Sequence, residues 1–546
     1  MTYRQVPIVL IFLFAISCTK NDPPDFAVVH NDQHIWVVTQ HNDNTRCGYN
    51  PQEMKLTTTN VNAKTFGKLF SLSVDDQVYS QPLIAGSLSI SNGKHNVVFI
   101  ATVRNSVYAF DADNGRPYWK KNYTAAGMRP TKNTDMTGAC GGHYKDFSGN
   151  IGIVGTPVID SITKTIYFVS RSTNGADYVQ YLHAVNILNG AEMPGSPVKI
   201  TATYAGTGSG TVNNLITFDA QIQNQRQALT LVNGIVYVSF SSHCDWGPYH
   251  GWILGYNAST LQQQIVYNDT PNGYAGGIWE SGNGLAADSL GNLYAVVGNG
   301  SVGTNNNPAD LINRGESALK LAPSPSSLLV KSFFTPSNYQ HLEDNDLDYG
   351  CMGGFLIPSS NYFFTGCKDG SIYLLNKDNM GGFSSSSNSV QQIVKLSAYA
   401  RLRCQPAYYK GSSGEFVFLW SENDNLRAYP FRRTTNLLDV TNATVSSAPG
   451  PTGGSGALLS VSSNGVENGT GIVWASYASS GNANQEVRPG ILRAFDAQNI
   501  TNELWNNDEN IEDQSGTYAK FSSPTIANGH VYLATFSNQV IVYGLK

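Results

Sequence analysis

The sequence predicts an all-β protein, an eight-bladed β-propeller of four-stranded antiparallel blades. Three observations predict it. One segment recurs along the chain: a strand ending in an aromatic or aliphatic residue, then a small residue, an acidic or amide position, and a turn. The clearest copy is SVYAFDADNGRPYW, Ser106 to Trp119, and others begin near Gln180, Gly251, Glu316, Gly370, Asp424 and Gly490 before NQVIVYGLK ends the chain. Those copies number about eight, at intervals of roughly fifty to seventy-five residues, within the range of propeller blades. Upstream of each copy lie two more strand signals, such as TPVID and TIYFVS before YLHAVN, or SSPTIA and VYLATF before VIVYGL. Their alternation, β-branched residues and Gly/Asn turns mark antiparallel strands.

The third observation is composition. Charged residues make up 13% of the 546 and there are 53 glycines, a balance suited to short strands joined by polar turns rather than to helices. Hydrophobic residues at 41% and aromatics at 11% supply a substantial core. A meander of this kind cannot bury both faces alone, so the units stack around an axis, and closing the ring removes the exposed edge. Because the chain stops one strand after its last turn, a strand near HIWVVTQ (His34 to Gln40) is expected to complete the final blade. The net charge of −5 gives no electrostatic footprint for nucleic acid.

The first residues read as an export signal, 1–17. Arg4 provides a small positive region, and the apolar run Val6 to Ile16 is shorter than the ~20 residues that span a bilayer. The run ends in AISC, which resembles the lipobox of bacterial lipoproteins. That resemblance implies lipidation at Cys18, a tether over 18–34 and a propeller domain over 35–546. It places the chain in the cell envelope, on the outer membrane, since Thr19 follows the cysteine. The expected partners are the membrane, through the lipid, and other envelope proteins or a small alcohol or sugar ligand.

Six cysteines remain, compatible with disulfides in an exported chain, and no CxxC or CxxCH occurs. GCMGGFLIPSSNYFFTGCKDG reads as a hairpin turning at Ser359–Asn361, which sets Cys351 opposite Cys367 as an expected bridge. A Cys140–Cys244 bridge near the axial funnel is a further hypothesis.

The turn AFDADNGRPYW fits A-x-D-x-x-x-G-x-x-x-W, and AFDAQNITNELW fits it without the Gly. This pattern is similar to the tryptophan-docking motif of PQQ-repeat propellers, the family that includes quinone- and calcium-dependent dehydrogenases as well as scaffolds and sensors without quinone. The resemblance implies a cofactor funnel on the axis. On it, Asp245 in SSHCDWGPYHGWILGYN and Asn299 in LYAVVGNGS stand for calcium ligands. Trp279 in GGIWESGNG stands for the platform under PQQ and Lys368 in CKDGSIYLLN for the basic contact, with Arg226 lining the funnel or bracing Asp245. The base should lie in NPADLINRGESALKL, where Glu316 and Asp310 are the carboxylates, neither in clean register. No vicinal cysteine pair exists and no haem domain is fused. These departures favour a binding or scaffold module with a degenerate funnel; the alternative is a PQQ- and calcium-dependent dehydrogenase of an alcohol or sugar. His143, His243 and His250 match no zinc spacing and read as loop histidines. No GxSxG or HExxH occurs.

Overall fold

The computed structural model describes residues 34–546, apart from 305–306, 308–309, 311 and 398–399. The signal segment, Cys18 and all but the end of the tether lie outside the described residues. Eight antiparallel sheets stand around one axis, and a small hairpin, Thr203–Ala205 with Leu215–Thr217, lies beside them. The first blade sets the pattern from axis to rim: Leu83–Ile90, Gly93–Ala101, Ser106–Asp111 and Pro117–Asn122. In such a meander the turn between second and third strands shares an edge with the connection to the next blade. Those segments build one rim of the axial channel, and the remaining turns build the other.

The recurrent segment is the third strand of its blade throughout, from Ser106–Asp111 to Gln539–Leu545. Its tryptophan docks as the motif implies. Trp119 Nε1 donates to the Ile187 carbonyl of the following blade at 2.9 Å. The ring lies so close to Gly190 that a Cβ there would come within 2.8 Å of it. Trp505 likewise crosses to the last blade and meets Tyr543 edge-on at 5.4 Å.

The ring closes differently from expectation. The outermost strand of the last blade is Phe66–Ser73, paired antiparallel with Gln539–Leu545, and not the segment near HIWVVTQ. An outer strand needs one buried and one open face. HIWVVTQ is apolar on both sides and goes to the axis, where Val37 forms an isolated bridge with Ile84.

From there the chain makes a circuit of the channel that no sequence pattern announced. Main-chain amides of the inner strands donate to it in blade order: Ile84 to Val37, Ile159 to Val38, Ala287 to Asn44, Leu356 to Thr45, Tyr408 to Cys47 and Val461 to Gly48. Asn44 Nδ2 reaches the Leu231 carbonyl in the third blade, and Asn50 Nδ2 reaches Ile526 in the eighth. One short segment therefore touches all eight blades and closes the channel a few residues along from the open rim. No helix among the described residues is long and apolar enough to cross a membrane.

The expected Cys351–Cys367 bridge is absent; both are buried free thiols, and Cys140–Cys244 is bonded instead, with Cα atoms 5.5 Å apart. The hairpin pairs Gly354 with Thr365, which would set Cys367 against Met352. The register is one residue away from the expected one, and a one-residue slip sends the two thiols to opposite faces.

Candidate functional site: a charged axial cavity

The open rim encloses a cavity of ≈ 230 Å³ on the axis. Its walls come from the connections that precede inner strands, carrying Arg226, Trp279, Asp346, Asp348, Cys351, Arg403, Lys520 and Phe521. The turns after second strands add Cys244, Asp245 and Lys368. Both signs line it: Asp146, Asp245, Asp346 and Asp348 with Arg226, Lys368, Arg403 and Lys520. Asp245, Asp346 and Asp348 lie together, while Arg226, Arg403 and Lys520 come from the third, sixth and eighth blades.

Trp279 is buried, and glycines hold its ring. A Cβ on Gly277 or Gly298 would approach it to 2.8 or 2.7 Å. Tyr249 meets the ring edge-on at 6.3 Å. The Arg226 guanidinium lies between the Trp279 and Phe521 rings, 5.1 and 4.8 Å from their centroids, and its Nε donates to the Trp279 carbonyl at 3.1 Å. Two buried donors, Trp279 Nε1 and Arg403 Nε, have no acceptor among the described residues. Arg403 also pairs with Glu422 at 2.6 Å.

Asp348 is the buried carboxylate at the centre. It is ion-paired with Lys368, which also holds Asp346 at 2.8 Å, and it accepts the Asn299 amide N–H at 2.9 Å. Burial works to raise its pKa, but the Lys368 charge and the amide outweigh burial and hold it below the ordinary carboxylate value. The same carboxylates raise the Lys368 pKa against the desolvation of its amine.

Asp245 sits at the mouth, open to solvent on one side, and accepts the Tyr249 hydroxyl at 2.6 Å. Desolvation by the surrounding wall, followed by the Asp348 charge, pushes its pKa up to about 6. A carboxyl with a raised folded pKa contributes stability at low pH that is lost as pH rises through about 6. Asp245→Asn keeps the Tyr249 bond, so in metal-free buffer its melting temperature should exceed that of the parent at pH 7 and match it at pH 4. Equal gains at both pH values would show that Asp245 carries no such strain.

Lys520 is buried, and desolvation lowers its pKa to about 8, Asp146 opposing that and Arg226 adding to it. The Cys140–Cys244 bridge borders the cavity through Cys244. Behind it, His243 is buried between the Tyr144 hydroxyl, at 2.7 Å, and Arg171.

The structure brings Asp245, Trp279, Lys368 and Arg226 together in the lining of this cavity. Asn299 stands behind Asp348 and lines an adjoining recess with Asp245. Its side-chain oxygen faces carboxylates; turned over, the amide donates to Asp348 at 3.2 Å and Glu316 at 2.5 Å. Glu316 and Asp310 are not in the cavity wall. Glu316 is fully buried behind it, accepting Tyr349 N–H at 2.7 Å, and desolvation raises its pKa well above the usual range. Asp310 folds back on its own loop, accepting the Thr304 and Ile312 amides.

Asp348, Arg403 and Lys520 are not legible from sequence because they sit in long connections without periodicity. The run DNDLDYG before GCMGG is the one sign of an acidic turn entering a blade. His243 and His250 hold internal bonds, the latter to Thr270 and to the Ser209 carbonyl, and His143 is exposed. Among the described residues, no group of three or more His, Cys, Asp or Glu side chains is set to hold a metal ion.

Solved structures share this all-β ring over most of the chain. No family model matches the sequence, and no curated protein matches it. A europium-containing methanol dehydrogenase is similar over 93% of this chain and 98% of its own, with 10% identity and a TM-score of 0.60. A quinohemoprotein alcohol dehydrogenase from Comamonas testosteroni matches 93% of this chain and 80% of its own, at 12% identity and a TM-score of 0.58. The corresponding enzyme ADHIIG of Pseudomonas putida HK5 has the same coverage, 93% and 80%, with 14% identity and a TM-score of 0.54. At these identities the likeness is one of fold.

Proposed function

We propose that the protein is a PQQ-dependent dehydrogenase that oxidises a hydroxyl group of an alcohol or sugar, rather than a scaffold with a degenerate funnel. The observation that carries this is the gathering of charge in one cavity: cations from three blades share its lining with Trp279 and a buried, ion-paired carboxylate. A scaffold gains nothing from desolvating so many charges at one point, whereas a reactive site does.

The chain's residues fit a flat, polycarboxylate quinone. Arg226, Arg403 and Lys520 offer charge to its carboxylates, and the unpartnered Trp279 and Arg403 N–H groups offer donors. PQQ, when bound, supplies the acceptor for the electrons and hydrogen leaving the carbinol carbon. Asp348, kept ionised by Lys368, takes the hydroxyl proton at a carboxylate oxygen. Asp245 and Asn299 are oxygen donors suited to a hard cation such as calcium, though they complete no ligand set by themselves. The Cys140–Cys244 bridge fastens the wall at Cys244. An envelope location with a lipid at Cys18 belongs to the same proposal.

The test is binding of PQQ to the purified chain with calcium, then dye-linked oxidation of ethanol and D-glucose. Affinity should fall as pH rises through about 8, where Lys520 loses its proton, and Lys520→Met should flatten that dependence. Absence of PQQ binding at every pH would return the chain to the binding or scaffold reading.

A further inference from the structure

Beside the axial cavity lies a second, more open recess of ≈ 530 Å³. The two share Asp245 in their linings. Separate parts of the rim build it. Ser209 comes from the side hairpin, Pro248 and Tyr249 from the third blade, Tyr274 and Asn299 from the fourth, and Glu343 from the short helix Tyr339–Asp344.

Its surfaces alternate in kind. Tyr249, Tyr274 and Pro248 bring rings to its lining, while Asp245, Glu343, Asn299 and Ser209 bring oxygens and an amide. The polar groups are held in place. Glu343 accepts the Gly300 amide at 2.5 Å and the Tyr274 hydroxyl at 3.1 Å, and Tyr249 holds Asp245. Tyr274 itself is 49% exposed, so its ring is open to a ligand.

We infer that this recess is the substrate subsite and that it takes a neutral polyhydroxylated molecule, a sugar or polyol, in preference to a short-chain alcohol. The oxidation of the bound molecule rests on the dehydrogenase reading; its binding does not. Rings that cover C–H faces beside fixed acceptors for several hydroxyls match a sugar's two kinds of surface. A short alcohol would meet one such group and leave the others to water. The carboxylates of Asp245 and Glu343 oppose an acidic sugar by like-charge repulsion.

The experiment is calorimetric titration of the cofactor-free chain with D-glucose, D-sorbitol, D-glucuronate and ethanol, using the parent, Tyr274→Ala and Tyr274→Phe. Glucose or sorbitol should bind, with the affinity falling at least about tenfold in Tyr274→Ala and largely retained in Tyr274→Phe. In PQQ-loaded protein, the ratio of kcat/KM for glucose to that for ethanol should fall by a similar factor in Tyr274→Ala. Glucuronate binding as tightly as glucose would overturn the inference. So would ethanol oxidation by PQQ-loaded protein with no sugar binding, which leaves the dehydrogenase reading standing. Tyr274-dependent sugar binding without any PQQ binding would do the reverse, upholding the recess and removing the dehydrogenase.

Discussion

Arg46→Ala is expected to lower the unfolding free energy by about 3–5 kcal/mol, the range for breaking a buried charge network by removing one partner. Arg46 is fully buried in the circuit that closes the channel. Its guanidinium donates to the carbonyls of Gln40 at 2.8 Å, Leu229 at 3.0 Å and Leu285 at 3.3 Å. It also donates to the hydroxyls of Thr39 at 2.6 Å and Thr230 at 2.7 Å. Burial lowers its pKa to about 10, with the Asp43 and Glu280 charges opposing that fall, so it stays charged at neutral pH. Alanine removes all five bonds, leaving the Leu285 and Leu229 carbonyls only the Thr230 and Thr39 hydroxyls, and takes a positive neighbour from Glu280, whose own pKa burial already raises to about 8. One side chain thus fixes the circuit to the third and fourth blades at once. The measurement is the urea midpoint at unchanged slope. A shift equivalent to less than about 1 kcal/mol, the worth of a single neutral hydrogen bond, would show that the circuit is not a structural hub.

Asp348→Asn should reduce kcat for dye-linked alcohol oxidation by roughly 10²–10⁴-fold, the contribution of a positioned general base. The substitution is nearly isosteric and can still accept the Asn299 amide, so the loss should fall on kcat more than on PQQ affinity. The pH dependence gives a second reading. Lys368 holds the Asp348 pKa below its ordinary value, so the base stays ionised well into the acid range. Lys368→Met removes that charge, and the acid limb of the rate profile should move to higher pH. A limb that stays in place, or Asp348→Asn retaining most of its kcat, would sink Asp348 as the base.

Much of the fold could be read locally. A strand reports itself by alternation over a handful of residues, and the turn motif repeats it blade after blade. Trp119 and Trp505 dock where the motif implies, because each needs only its own turn and the one beside it. The funnel was legible where a residue follows a strand end, as Asp245 and Lys368 do, or where a motif marked it, as at Trp279; the three meet in the cavity. Glu316 also adjoins a strand, yet it is turned inward at positive φ, 49°, which sequence spacing does not disclose. Cys351 and Cys367 failed on a single residue of register, the quantity that sequence specifies least well in a short hairpin.

By itself, then, the sequence determined that this chain is a closed ring of eight antiparallel blades with tryptophan-docked turns, since those features depend on contacts between near neighbours. Tertiary structure alone decided what the axis holds. Arg46 meets acceptors some two hundred residues away, and Arg226, Arg403 and Lys520 converge from three separate blades. Ring closure brings such residues together, and no periodicity in the chain records a distance measured across the ring.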